Sequence, residues 1–346
     1  MLVYTSITKN YLPKARVLSR SLKRHNPGWR LCVILCDTPP ENFDLRREPF
    51  DDLLTLAELD IPDWKSWAFG HNVVELCTAV KGVAAQRLAG RGGEDRLIYL
   101  DPDIMVFSSL EPLADLLERH QILLTPHLLE PETDAGAVID NEICTLRHGV
   151  YNLGFVGVRT TGEGRRFIDW WAARLAAHCV ADPANGLFTD QRWVDLAPGF
   201  FDGVHVLRDK GCNVATWNLH HRVLAKNAAG VLEAGGETLC FYHFTGFDSG
   251  DGRGVLLKYA ADQIEAHLLW DSYAKELRAN GHGEAALDHF AYGCFDNGVP
   301  IDAALRRAYR MRRDLQEAFP DPFRTGKWSL QSWWREEQRG VGLDAS

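Results

Sequence analysis

Two hydrophobic periods alternate along the first half of the chain. Leu2–Ser6 is short, apolar and β-prone, and Tyr11–His25 then places Leu12, Ala15, Leu18 and Leu22 at helical spacing until Asn26-Pro27-Gly28 stops it. Arg30–Cys36 is a continuous apolar run, as in a parallel strand buried on both faces. Glu75–Leu88 returns to the helical period through Leu76, Val80, Val83, Ala84 and Leu88, and Gly90-Arg91-Gly92-Gly93 closes it. Arg96–Leu100 predicts a strand, Leu110–His120 a helix and Ile122–Thr125 another strand. This alternation predicts an α/β fold with a mostly parallel sheet flanked by helices. Such sheets bind ligands beyond the carboxyl ends of their strands, where Asp101-Pro102-Asp103 falls.

The second half changes character. Tyr151–Arg159 is a glycine-interrupted strand, Arg165–Cys179 a helix, and Val204–Leu207 and Leu239–Phe244 are further strands. Beyond Gly254 the strand signal fades, and Ala260–Asn280 and Ala303–Ala318 have amphipathic helical spacing. The expected division is residues 1–254 as the main domain and 255–346 as a helical extension. The acidic, small-residue stretch Glu130–Ile143 predicts a mobile loop.

Composition adds exclusions. With 346 residues, 46% of them apolar, there is ample material for a core, and the net charge of -9 argues against a nucleic-acid partner held by bulk electrostatics. No apolar run approaches the roughly 18–20 residues that span a bilayer. MLVYTSITKN lacks a basic stretch followed by an apolar core, so a cytoplasmic protein is expected, with at most peripheral contact at the inner face of a membrane. Eight cysteines without a C-x-x-C pair predict reduced, buried thiols rather than a disulfide framework or a zinc site.

The chemistry begins at Asp101-Pro102-Asp103. Carboxylates on alternate residues where a strand meets solvent make a hard-oxygen site for a divalent ion that can also grip a diphosphate. On its own the triplet would equally suit a solvated turn. Its setting, RLIYLDPDIMVFSSLEPL, is a buried strand, the acidic triplet, apolar residues and a helix start. With ELCTAVKG (75–82), YNLGFVGVR (151–159), FTDQRWVD (188–195) and FYHFTGF (241–247) following in order, the chain resembles the GT-A-fold, nucleotide-sugar-dependent glycosyltransferases, particularly the retaining enzymes of glycosyltransferase family 8 and their bacterial relatives. The resemblance covers about residues 1–250 and implies a GT-A-like (Rossmann-like) catalytic domain.

The resemblance also implies roles. Asp101 and Asp103 would hold the metal, with His243 as third ligand; imidazole among the ligands favours Mn²⁺ over Mg²⁺. Thr5, Ser6, Asn10 and Tyr11 on the first βα loop would hold the nucleoside, although the same residues suit helix capping and ordinary loop polarity. Lys81 would lie near the diphosphate or else be one solvated lysine among many, and Gly246 would sit at the nucleotide corner. Asn152, Gly154, Asp190 and Gln191 would border the donor sugar, with Asp190 and Gln191 as the catalytic pair; that pair could instead cap the helix starting near Trp193. His127, His148, His205, His220 and His221 lack such context and read as structural.

The chain departs from the family pattern twice: no lysine follows His243 at the usual place, with Lys258 or Lys210 as substitutes, and Arg192 stands where an acidic residue is common. Among eleven tryptophans, Trp64, Trp67, Trp217 and Trp270 could offer flat faces to a sugar, and Trp333 and Trp334 could touch a membrane-borne acceptor. Packing explains each of them as well. The expected function is transfer of a sugar from a nucleoside diphosphate, UDP first, to a glycan, lipid-linked or small-molecule acceptor. A non-catalytic carbohydrate-binding scaffold is the alternative. A sugar-1-phosphate nucleotidyltransferase fits less well, because VYTSITKNYLPKA has no glycine-rich phosphate loop.

Overall fold

A computed structural model describes residues 1–283 and 289–343. A seven-stranded sheet is built from β1 (Leu2–Ile7), β2 (Arg30–Leu35), β3 (Asp52–Thr55), β4 (Arg96–Leu100), β6 (Ile122–Pro126), β7 (Tyr151–Arg159) and β8 (Val204–Val206), in the order β8-β6-β7-β4-β1-β2-β3. All neighbours pair in parallel except β7, which runs antiparallel to both β4 and β6. The sheet is therefore the mostly parallel, helix-flanked one that the hydrophobic pattern predicts.

Period-two alternation assigns each strand residue to one of two cores. Leu97 and Tyr99 join the cluster under α2 (Val73–Gly90) and α4 (Gly162–His178), whereas Ile98 and Leu100 join the one under α1 (Leu12–His25) and α3 (Glu111–Arg119). α2 and α4 pack very closely. A Cβ on Gly82 would lie 2.6 Å from the Ala172 Cα, so only glycine lets the two backbones meet there. That contact presses α2 onto the sheet and aims its Cys77–Lys81 face at the carboxyl edge of β1 and β4.

A short antiparallel pair completes the edge. β5 (Ile104–Val106) leaves the acidic triplet and pairs with β9 (Phe241–His243), with Ile104 opposite His243. Phe244 N also donates to Asp103 O at 2.9 Å. Register alone thus brings His243 beside Asp103 from 140 residues away in sequence.

The later helices differ in detail from the sequence pattern. The expected Ala260–Asn280 helix is α6 (Ile264–Ala279), preceded by the separate α5 (Asp251–Tyr259). The expected Ala303–Ala318 helix is α7 (Ala303–Met311) followed by Arg313–Ala318, broken where Arg312 takes extended angles (φ -113°, ψ 102°). Trp270 and Tyr273 of α6 pack on Phe244, with the Tyr273 and Phe244 rings stacked at 3.8 Å. Leu305 and Tyr309 of α7 surround Phe69, and the buried Arg306 donates to the carbonyls of Phe69 and His71 at 2.8 and 2.9 Å, fixing the turn that precedes α2. The stretch Glu130–Ile143 is not an open loop: from Ala135 to His148 it is helical, and its acidic residues are used in contacts described below. No described helix is long and apolar enough to cross a membrane.

All eight cysteines are free, but Cys77, Cys240 and Cys294 are only partly buried and Cys144 is exposed, contrary to the expectation of uniformly buried thiols. Cys144 stands on a helical turn and lines a cavity.

Candidate active site

Two cavities meet at the carboxyl edge of the sheet. The first, about 440 Å³, is lined by Ser6 of β1, Thr8, Asn10 and Tyr11 of the β1–α1 loop, Cys77 and Lys81 of α2, Tyr99, Asp101 and Asp103, and Phe290. The second, about 400 Å³, is lined by Lys81, Asp101, His127, His148, Asn152, Gly154, Asp190, Gln191, Trp217 and His243. Lys81 and Asp101 border both.

At the wall between them, one ligand atom each from Asp101, Asp103 and His243 falls within 4.8 Å of the others. His243 Nε2 lies 3.1 Å from Asp103 Oδ1 and 3.7 Å from Asp101 Oδ2. The ring orientation follows from its neighbours. Asn152 Oδ1 accepts from Gly154 N and from Asn213 Nδ2, both at 3.1 Å, so it must also be the acceptor for His243 Nδ1 at 3.2 Å. Nδ1 therefore carries a proton and Nε2 is left to face the carboxylates. Gly154 makes room for this: a Cβ there would lie 2.5 Å from His243 Cε1. The half-buried Asp103 would be pushed up by desolvation, but His243 more than reverses this and holds it well below the usual carboxylate range; Asp103 in turn raises His243, which burial alone would lower.

Lys81 is the second organising group. Its buried ammonium stands 2.8 Å from Asp190 Oδ2, 3.3 Å from Asp101 Oδ1 and 2.9 Å from the Leu153 carbonyl. Burial alone would lower its pKa, yet the flanking carboxylates raise it, so it stays charged. Asp190 is pushed up by burial, with Lys81 opposing. The contact with Asp190 Oδ2 is an ion pair without the alignment of a hydrogen bond. Asp190 follows Thr189, a β-branched residue at φ +46°, a strained conformation of the kind that concentrates at functional sites. Gln191 is pinned by Leu153 N donating to Oε1 at 3.1 Å and by Nε2 donating to the His148 carbonyl at 3.0 Å. Asp190 makes no side-chain cap on the short helix Gln191–Val194, so the capping alternative is set aside.

Most of the residues singled out in the sequence thus converge, with two exceptions. Thr5 is fully buried on the sheet face opposite Ser6 and lines neither cavity, because neighbouring strand residues point to opposite faces. Gly246 lines neither; its positive φ of 68° and the Gly252 backbone, 2.7 Å from where a Cβ would sit, give it a packing role against α5. Ser6 is already committed, donating to the Cys77 carbonyl at 2.6 Å and bonded to the Tyr99 hydroxyl at 3.0 Å.

The proposed lysine substitutes are occupied elsewhere. Lys258 pairs with Asp140 and Lys210 with Glu130, and neither lines a cavity. Lys14 is instead held 2.6 Å from Asp248 and over the Tyr11 ring, where its charge helps lower Asp103. Arg192 pairs with Asp195 at 2.6 Å, and Asp195 accepts from Val150 N, which explains a basic residue at that place as a brace. Trp270 is core, Trp64 and Trp67 pack on the α2 side, and Trp333 and Trp334 join the cluster around Phe69; Trp217 alone of these lines either of the two site cavities, edge-on to His243.

Sequence reasoning missed His127, His148, Thr8, Tyr99 and Phe290. His127 is held neutral, its pKa lowered to about 4 by burial, with Nε2 accepting from Asn152 Nδ2 at 3.2 Å. For Cys77 and Thr78 a signal existed: Val74, Cys77, Thr78 and Lys81 share one helix face by spacing.

The fold and site define an α/β protein with a carboxylate–imidazole cluster, suited to a divalent cation, between two cavities at a sheet's carboxyl edge. No family model matches the chain. It is similar to two uncharacterized proteins of Bacillus subtilis (strain 168): YfnF, 24% identical over 175 residues, and YfnD, 25% identical over 250 residues. The match takes in 50% of this chain and 57% of YfnF, so the chain spans little more than half of that relative, against 70% of this chain and 76% of YfnD. Among solved structures it is similar to the galactosyltransferase LgtC in complex with donor and acceptor sugar analogues (14% identity, TM-score 0.49, covering 81% of this chain and 96% of that one). It is also similar to the glycosyltransferase GlyE of Streptococcus pneumoniae TIGR4 (16% identity, TM-score 0.46, 82% and 64%) and to mouse xyloside xylosyltransferase 1 (16%, 0.43, 70% and 97%).

Proposed function

We propose that this protein is a divalent-metal-dependent glycosyltransferase that moves a sugar from a nucleoside diphosphate, UDP first, to an acceptor hydroxyl with retention of configuration. The observation that carries the reading is the meeting of Asp101, Asp103 and His243 at the wall between two cavities of about 440 and 400 Å³. A donor lying across that wall would put its nucleoside among Ser6, Thr8, Asn10 and Tyr11 and its sugar beside Asn152, Asp190 and Gln191.

The donor set fits a cation: among the described residues the three carboxylates Asp101, Asp103 and Asp190 form ion pairs with Lys81 and His243 alone, so without a cation the cluster is net anionic and would repel a diphosphate. Bound Mn²⁺, or Mg²⁺ in its place, would neutralise charge developing on the departing diphosphate. Lys81 ties the metal-side carboxylate to Asp190 and fixes both. Tyr11, with Lys14 against its ring, offers the nucleoside a flat face. Asp190 would accept from donor-sugar hydroxyls. Gln191, held at both ends, keeps one amide N–H for the sugar by donor count, and as an amide it is too weak a nucleophile to form a stable glycosyl adduct, so its part would be to stabilise charge at the anomeric carbon and steer attack on the same face. The Trp217 ring and the apolar wall beside it suit an acceptor sugar face.

Thermal shift tests the donor assignment. UDP at about 100 times its Kd stabilises the native state by about 2.7 kcal/mol. The melting temperature should rise with UDP plus Mn²⁺ and not with UDP plus chelator, and Asp103→Ala should abolish the rise. An equal rise without metal would overturn the metal-dependent reading.

A further inference from the structure

A second convergence of ligating atoms lies behind the rim of the sugar-side cavity. Glu132, whose side chain is 2% exposed, is met by two imidazoles that are adjacent in sequence. His220 Nε2 stands 2.8 and 2.7 Å from its two oxygens, and His221 Nε2 stands 3.1 Å from Oε2. The rings are tilted with centroids 4.0 Å apart, and the three ligand atoms fall within 4.8 Å of one another. Asn141 Nδ2 donates to Glu132 Oε1 at 2.7 Å and orients the carboxylate.

We propose that Glu132, His220 and His221 form a zinc site that fastens the cavity rim to the wall opposite it. Two imidazoles and one carboxylate are a zinc donor set with a fourth position left to water, whereas Mg²⁺ and Ca²⁺ prefer all-oxygen shells. Zinc bonds of about 2.0–2.1 Å in a tetrahedron place donor atoms about 3.3 Å apart. The nitrogen–oxygen separations here are 2.7–3.1 Å, so the cluster takes the ion by opening about half an ångström. His220 and His221 keep 19% and 22% side-chain exposure, which leaves a path in and room for the water. The Asn141 bond supplies the outer support that metal-binding carboxylates carry.

The placement gives the ion a consequence. Glu132 starts the segment whose Asn141, Cys144 and His148 line the cavity, and the two histidines follow Trp217 on the other wall. An ion bound here would lock both walls in one relative position without touching the Asp101–Asp103–His243 cluster. This inference does not rest on the transfer chemistry proposed above.

The test starts from protein carrying Asp103→Ala and Cys240→Ser, which removes one ligand from each of the two other candidate clusters, Asp101–Asp103–His243 and Asp209–Cys212–Cys240. After chelator treatment it is titrated with Zn²⁺ by calorimetry, and hydrogen exchange is followed over residues 132–148. One equivalent should bind and slow exchange across that segment. Adding Glu132→Gln, nearly isosteric, should weaken binding at least tenfold, and His220→Ala with His221→Ala should abolish it. Failure of the starting protein to bind Zn²⁺ would overturn the proposal. So would binding that survives Glu132→Gln and the double histidine change alike, or binding that leaves exchange over 132–148 unaltered.

Discussion

Gly154→Ala is the smallest change that should dismantle the metal cluster. A Cβ at this position would lie 2.5 Å from His243 Cε1, 2.6 Å from Nδ1 and 2.8 Å from Asn152 Oδ1. Carbon contacts relax at about 3.5–4.0 Å, so the imidazole must withdraw by about an ångström. The ring is fully packed, with Trp217 edge-on at 5.7 Å on one side. Withdrawal breaks the 3.2 Å bond to Asn152 that fixes the tautomer and takes Nε2 away from Asp103, now 3.1 Å distant. Losing an outer-shell partner typically costs 10–100-fold in metal affinity, and displacing the ligand itself adds to that. We expect Mn²⁺ affinity, measured by calorimetry in the presence of UDP, to fall at least tenfold. Overpacking should also reduce stability by about 1–3 kcal/mol. Gly157→Ala serves as control on the same strand: its Cβ would meet Leu123 side-chain atoms at 3.3 Å, in the core beneath the sheet, so it should lower stability and leave the metal untouched. Wild-type Mn²⁺ affinity in Gly154→Ala would refute the assignment of His243.

Two further outcomes follow from buried charge. Lys81→Met strands Asp190 and Asp101 beside an apolar side chain, and removing one partner of a buried pair costs about 3–5 kcal/mol; denaturant unfolding should show that loss, with much of it recovered by adding Asp190→Asn, and a loss below about 1 kcal/mol would contradict the ion-pair account. His71 is buried beside Arg310 and donates to the Trp67 carbonyl at 2.8 Å; burial, with the nearby guanidinium charge, lowers its pKa to about 3 against an unfolded value near 6.5. A base whose folded pKa is depressed takes its proton mainly in the unfolded chain, so its stability is fully present above pH 6.5 and drains away as pH falls toward 3. Between pH 7 and 5 the wild type should lose about 2 kcal/mol more than His71→Gln, and equal pH slopes would sink the point.

How much of this was legible in the sequence depends on how local each contact is. β1, β2, β4 and the helices α1 and α2 were readable because their apolar periods are set by a sheet buried on both faces. The Asp101–Asp103 pair was readable because a strand end followed by two acidic residues is a local pattern. His243 was named through motif order; the register Ile104 opposite His243 explains why that order works. The error at Thr5 came from treating the first loop as a block when strand alternation sends Thr5 and Ser6 to opposite faces. The stretch Glu130–Ile143 was misread because its acidic residues suggest solvent, whereas Glu132 is held by histidines 88 and 89 positions on, a pairing no local pattern carries. Lys81 was seen as a candidate, but its bridge between Asp101 and Asp190 needs three segments folded together. The break at Arg312 was hidden because helical spacing continues in the sequence across it, and α5 was not among the helices the pattern predicts.

UDP release from a panel of UDP-sugars, measured without acceptor and with Mn²⁺ or chelator, tests the central claim most directly. The account predicts slow UDP release from at least one donor that requires Mn²⁺ and disappears in Asp103→Ala, whose fold is intact by circular dichroism. Release that is unchanged by chelator or by Asp103→Ala, or no release from any donor by folded, Mn²⁺-loaded wild-type protein, would contradict it.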